Sequence, residues 1–215
     1  MKQARGFSLI ELMVAVTVAA ILLVVAIPNF INMAERRRVM GAAEMIYEQL
    51  MYARTEAVKR SRPLIVAFSA NDTATWSLGI TDRNIAGTAC DPTKTAAANA
   101  NACTIEYDND PAVDFGNDGQ SDAVLLRADN TPYPNVRLKG ASDDAPSFTG
   151  AAGACNNGLS NTMTCFDPVR GMARNGTVVV TTNKYQARVV ISTLGRVRIC
   201  SPNNALRIQA YPTCD

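Results

Sequence analysis

Residues 6–30 read GFSLIELMVAVTVAAILLVVAIPNF, and across the 21 residues from Phe7 to Ile27 the only strongly polar side chain is Glu11. As a helix this run rises about 31 Å at ~1.5 Å per residue, enough to cross a bilayer's hydrocarbon core. A carboxylate placed early in such a span is costly to bury and marks a working position. The basic leader MKQARG ends in Gly6 directly ahead of the apolar run. A secretory signal is cut behind its apolar region, whereas here the small residue lies in front. Charge does not orient the span, because Lys2 and Arg5 on one side are outnumbered by Arg36, Arg37 and Arg38 on the other.

Outward from this run the helical pattern resumes after Pro28 and extends to about Ser61. Val39, Ala43, Ile46, Leu50, Ala53 and Ala57 recur at spacings of three and four, which draws one apolar stripe. Glu44, Glu48, Arg54 and Lys59 fall off it. The stripe predicts a face packed on a globular domain, with contact to a partner helix as the alternative for its first half. Pro28 removes a backbone donor and predicts a bend or a loosened turn. Arg62-Pro63 predicts the helix end, since the residue before proline disfavours α geometry.

Beyond Pro63 the pattern is β. Leu64–Phe68 and Trp76–Ile80 predict a hairpin through Ala70-Asn71-Asp72. Residues 82–103 and 140–163 are small and polar and predict loops. Short strands are expected at Thr104–Tyr107, Val124–Ala128 and Val136–Lys139. Three more, Gly176–Thr182, Gln186–Thr193 and Arg196–Cys200, are joined by turns at Asn183-Lys184 and Leu194-Gly195. The expected architecture is α+β, one long helix packed on antiparallel sheet, divided as residues 1–6, 7–28, 29–62 and 63–215.

The net charge of +2 is that of the leader: without Lys2 and Arg5 the 21 basic residues become 19, against 19 acids. Nine acids face three bases between Thr104 and Ala145, while Pro168–Cys214 holds seven bases (Arg170, Arg174, Lys184, Arg188, Arg196, Arg198 and Arg207) and no acid. One acidic and one basic face or end are expected. Six cysteines, no C-x-x-C pair and no histidine argue against zinc and for disulfides in an oxidising compartment. Fifteen pairings are possible; the sequential one, Cys90–Cys103, Cys155–Cys165 and Cys200–Cys214, is preferred because it closes three short loops, each worth about 2–3 kcal/mol. Without histidine the commonest general base is missing, and no Ser-x-x-Lys, phosphate-loop or dinucleotide pattern occurs, so no enzyme and no cofactor are expected. Residues 108–122 are rich in Asp, Asn and Gly. Their spacing fails the EF-hand rule at Ala112 and Gly116, and turn chemistry explains them equally well, so no metal site is assigned and calcium stays open.

Gly6-Phe7-Ser8-Leu9-Ile10-Glu11 followed by an apolar helix resembles the class III signal of type IV pilins and type II secretion pseudopilins. The resemblance implies cleavage between Gly6 and Phe7 by a prepilin peptidase, N-methylation of Phe7, and pairing of Glu11 with the amino terminus of a neighbouring subunit. It also implies an inner-membrane protein with its N-terminus cytoplasmic and its domain periplasmic, in agreement with the cysteines, and later a place in a surface pilus beside other major and minor pilins. MYARTEAVKRSRP (residues 51–63), Phe166-Asp167-Pro168-Val169-Arg170-Gly171 and the hairpin ending Leu194–Cys200 resemble the FimT/FimU/GspH family. That likeness implies a low-abundance minor pilin that helps initiate or cap assembly, or a GspH-like pseudopilin of type II secretion. In FimT-like proteins a Gly-Arg-x-Arg motif is associated with DNA capture, and Gly195-Arg196-Val197-Arg198 matches it. Strand alternation puts Arg196 and Arg198 on one face about 7 Å apart, near the spacing of successive phosphates. Non-specific double-stranded DNA is thus a candidate partner, with a merely solvated strand face as the alternative.

Overall fold

The computed structural model describes residues 8–70, 72, 74–82, 90–99, 101–106, 123–140, 145–150, 155 and 159–214, without the side chains of 25 and 27–29. One helix, α1 (Leu9–Arg60), carries the stem and enters the domain. Ser8 caps it: its Oγ accepts the Glu11 N–H at 3.3 Å, as in a Ser-x-x-Glu capping box. The helix runs through position 28 without interruption, so the proline does not end it. It stops at Arg60, two residues before the expected point, where Ser61 turns left-handed (φ 53°) and returns its N–H to the last turn.

Among the described residues the expected antiparallel sheet takes the form of two sheets and a two-stranded ribbon. The first has the order β5 (Arg127–Asp129), β2 (Ser77–Thr81), β1 (Leu64–Ser69), β8 (Met163–Phe166). The second runs β11 (Val197–Cys200), β10 (Gln186–Ile191), β9 (Asn175–Thr181), β6 (Arg137–Lys139), with β7 (Ser147–Thr149) also on β9. Strands β3 (Thr104–Glu106) and β4 (Ala123–Leu125) form the ribbon, and every ladder is antiparallel.

Two sequence expectations give way here. The strand expected at Val124–Ala128 divides at Leu126, whose N–H goes to Cys103 and whose carbonyl goes to Ile80, so the chain changes partner within one run. The loop expected over residues 140–163 contains β7, whose Phe148 is fully buried and stacks on Phe68 at 5.4 Å. One large aromatic among small residues anchors that strand.

The core lies between α1 and the two sheets. The stripe residues Val39, Ala43, Ile46, Leu50, Ala53 and Ala57 are all at 0 % exposure, and the small ones let the helix lie close. They meet Leu64, Val66 and Phe68 of β1 and Val178, Val180, Val189 and Ile191 of β9 and β10. Strand β1 is apolar from Leu64 to Phe68 because both of its faces are buried there. Ile65 and Ala67 face a second cluster built on the Cys90–Cys103 and Cys155–Cys165 disulfides. Gly79 of β2 has no side chain because the Cys103 sulfur occupies the place of its Cβ. The third disulfide, Cys200–Cys214, holds the C-terminal tail, which sends Ile208 into the core and the Tyr211 hydroxyl to Glu44 of α1 at 2.9 Å. Burial, then the Glu44 carboxylate, push the Tyr211 phenol well above its ordinary value.

Candidate functional site

Two surfaces answer the sequence's candidates. The first is the stem. Gly6 and Phe7 lie outside the described residues. Glu11 is exposed in the first turn of α1, beside Leu9, Ile10, Leu12 and Met13, each more than half exposed. Further along, Ile21, Leu22, Leu23 and Val24 are 57–73 % exposed. A stem of this composition needs an apolar covering that the described residues do not supply. Among the described residues no helix is long and apolar enough to cross a membrane. The fully described part of the run, Leu9 to Val24, has 16 residues and rises about 24 Å.

The second surface is β11, an edge strand of the second sheet. The strand begins at Val197, one residue later than expected; Val197 points into the core, Arg198 is exposed on the opposite side, and Arg196 is exposed just before the strand. Neither guanidinium meets an acid among the described residues. Arg198 lies opposite Val190, and Arg188, two residues along β10, is its diagonal neighbour at about 7–8 Å. Arg188 is half-buried, and its Nε has no hydrogen-bond partner among the described residues. Behind it the face closes, because Val179 is 2 % exposed.

The turn that presents these arginines is locked from behind. Gly195 has φ +69°, and a Cβ there would collide with the Gly171 carbonyl oxygen. Two segments distant in sequence, Phe166–Gly171 and Leu194–Cys200, therefore pack turn on turn. Arg54 of α1 lies against both glycines instead of standing in solvent. Asp167 holds the first turn by accepting the Val169 N–H at 2.8 Å on its carboxylate and the Gly171 N–H at 3.0 Å on its carbonyl.

The other bases of the C-terminal run separate. Arg170 and Arg207 are exposed. Lys184 donates to Asn32 of the stem at 2.7 Å. Arg174 leaves the basic surface altogether. It is 8 % exposed and donates to the carbonyls of Leu159, Ser160, Met163 and Phe148 at 2.9–3.3 Å. Burial lowers its pKa, and its role is to clamp the β7–β8 connection. Composition counted it as a surface charge, and nothing in its sequence neighbours marked it as buried. Residues 108–122, the calcium candidate, fall outside the described residues apart from their surroundings, and among the described residues no group of acids and cysteines could hold a metal.

The chain matches the prokaryotic N-terminal methylation motif over residues 1–27 and the type II transport protein GspH over residues 42–141. With a prepilin signature at its start and a GspH match from the helix into the sheets, the chain resembles pilins of the FimT/FimU/GspH type. In the solved structures it is similar to the type IV minor pilin FimU of Pseudomonas aeruginosa PAO1. One crystal form gives 18 % identity and a TM-score of 0.43 over 80 % of this chain and 98 % of that one. Another crystal form gives 17 % identity and 0.40 over 77 % and 98 %. No curated protein sequence matches the chain.

Proposed function

We propose that this chain is a minor pilin of a type IV pilus, incorporated at low abundance and helping to initiate or cap assembly. The observation that carries the reading is the uncovered apolar stem, with one carboxylate near its end. In this reading residues 1–6 are removed by a prepilin peptidase, Phe7 is N-methylated, and residues 7–28 first cross the inner membrane. Residues 29–62 continue the helix into the periplasmic domain of residues 63–215. Assembly exchanges lipid for neighbouring pilin helices around the same apolar surface, and Glu11 meets the amine of a neighbour's Phe7. An unpaired charge in that setting costs several kcal/mol, by order of magnitude. The role is structural, without catalysis or cofactor.

Intact-mass measurement on protein from the native host, together with its quantity in sheared filaments, tests the reading. The expected chain begins at a methylated Phe7, occurs in pili at a small fraction of the major subunit, and its deletion reduces pilus number. A mass that retains MKQARG overturns the pilin assignment. Lost secretion with unchanged piliation would make it a type II pseudopilin instead.

A second reading is DNA capture for natural transformation. It is supported by two neighbouring exposed guanidiniums, Arg198 on the edge strand β11 and Arg196 just before it, with no acid between Pro168 and Cys214.

A further inference from the structure

We propose that the cleft between the stem and the base of the domain binds the headgroup of an anionic phospholipid. The proposal rests on the reading that the stem is embedded in a membrane before assembly. The cleft encloses about 610 Å³. Phe30, Ile31 and Ala34 of α1 form an apolar wall, and Arg38 and Arg137 stand on the same cleft.

The wall points to a lipid and not to a soluble anion. Phe30 is 72 % and Ile31 55 % exposed. With Leu23 and Val24 they repeat at a seven-residue spacing, so one helical face leads from the apolar stem into the cleft. A free phosphate needs no such surface; an acyl chain does. The height is also right. From Phe30 to Arg38 the helix rises about 12 Å, so a stem embedded to residue 28 sets the cleft against the headgroup layer.

The charge fits a phosphodiester. Arg38 is exposed and has no ion pair or hydrogen bond among the described residues. Arg137 is loosely held, donating to Asn183 Oδ1 at 3.1 Å and lying 3.9 Å from Asp72 Oδ1. Glu35 also lines the cleft, but Arg36, Arg37 and Lys184 belong to the same level of the stem, and the balance there is positive. The headgroup phosphate bridges Arg38 and Arg137, and its glycerol and acyl chain descend along Ile31 and Phe30.

The test uses the full chain extracted in mild detergent, with native mass spectrometry reading the lipid kept per chain. Phosphatidylglycerol and phosphatidylcholine are supplied separately, with glycerol 3-phosphate as a soluble probe. One phosphatidylglycerol per chain is expected, preferred about 25-fold, with each of the two arginines contributing about fivefold. R38Q removes no hydrogen bond of the fold, so its fivefold loss cannot be traced to misfolding; R38Q/R137Q should abolish the preference. Equal retention of the two lipids, an unchanged R38Q, binding of glycerol 3-phosphate as tight as that of the lipid, or a second copy of the chain filling the cleft overturns the proposal. Alkaline carbonate extraction of native membranes separates the two failures. Release of the chain would remove the membrane reading itself, whereas a retained chain indifferent to headgroup removes only the cleft assignment.

Discussion

Gly195 and Arg174 carry more of this fold than their surroundings in sequence imply. Gly195 combines a left-handed backbone with contact against the Gly171 carbonyl, so Gly195→Ala must pay both strain and a clash. A loss of roughly 2–3 kcal/mol is expected, seen as about 5–10 °C in the melting temperature of the oxidised protein. Arg174 donates to four carbonyls from a buried position; Arg174→Met removes those bonds, leaving the Ser160 carbonyl only the Met163 N–H at 3.2 Å, and should cost about 3 kcal/mol or more in denaturant unfolding. An Arg174 variant as stable as wild type would refute the clamp. Glu56 gives a pH signature. The Arg60 guanidinium at 2.7 Å, with Lys59 at 3.2 Å, holds its carboxyl below the usual range against the opposing effect of burial. A lowered folded pKa stabilises the protein at neutral pH, and that contribution is lost as pH falls below the ordinary glutamate value of about 4.3 and through the folded value. Glu56→Gln should therefore be about 1–2 kcal/mol less stable at pH 7 and converge with wild type in acid.

At the scale of elements, α1 was the most legible part of the chain. Its apolar stripe repeats at helical spacing over several turns, and that signal does not depend on what it packs against. The strands were legible where β-branched runs are long, as at β1, β9 and β10. β7 and β8 were not, because Ser147-Phe148-Thr149 is too short for alternation to register and Met163–Phe166 carries Thr and Cys in a buried strand. Their burial comes from Arg174, Phe68 and a disulfide, which are long-range partners. The Ser8 cap of α1 was not part of the sequence reading, which took Glu11 only as a carboxylate in an apolar span. It also sharpens the test of that residue. Ser8 Oγ accepts the backbone N–H of Glu11 and not its side chain, so Glu11→Ala keeps the cap. Processing and membrane insertion should be unchanged, since the stem only becomes more apolar. Recovery in sheared pili should fall at least tenfold. Glu11→Gln should fall nearly as far if the carboxylate charge is what a neighbour's amine requires, and recovery equal to wild type would exclude that pairing.

For the whole molecule, the asymmetry of charge was legible in the sequence, but its use was not. The seven bases of Pro168–Cys214 divide in space into a buried clamp, a tie to the stem, scattered exposed residues, and the Arg196/Arg198 pair at the start of β11 with Arg188 behind it. Only the last is an arrangement that could follow a phosphate backbone. A chain spanning residues 35–215 keeps the whole helical stripe and both sheets, and it should bind double-stranded DNA without sequence preference, with a dissociation constant of order 10⁻⁴–10⁻⁶ M at physiological salt. Each neutralised phosphate adds about 0.9 to the slope of log affinity against log salt. Arg196→Gln/Arg198→Gln keeps length and polarity and removes two charges, so the slope should shrink by about two. Both side chains are exposed and unpaired among the described residues, so stability should move by less than about 0.5 kcal/mol. The control is Arg170→Gln/Arg207→Gln, which removes the same charge elsewhere on the basic half. A slope lowered equally by both pairs would mean that net charge and not the β11 arrangement binds. A slope unchanged by the β11 pair, or no binding at low salt, would leave the structural role alone. If the edge of the sheet does read the backbone, the two pairs part: only the Arg196/Arg198 substitution flattens the salt dependence, falling further behind wild type as salt is lowered.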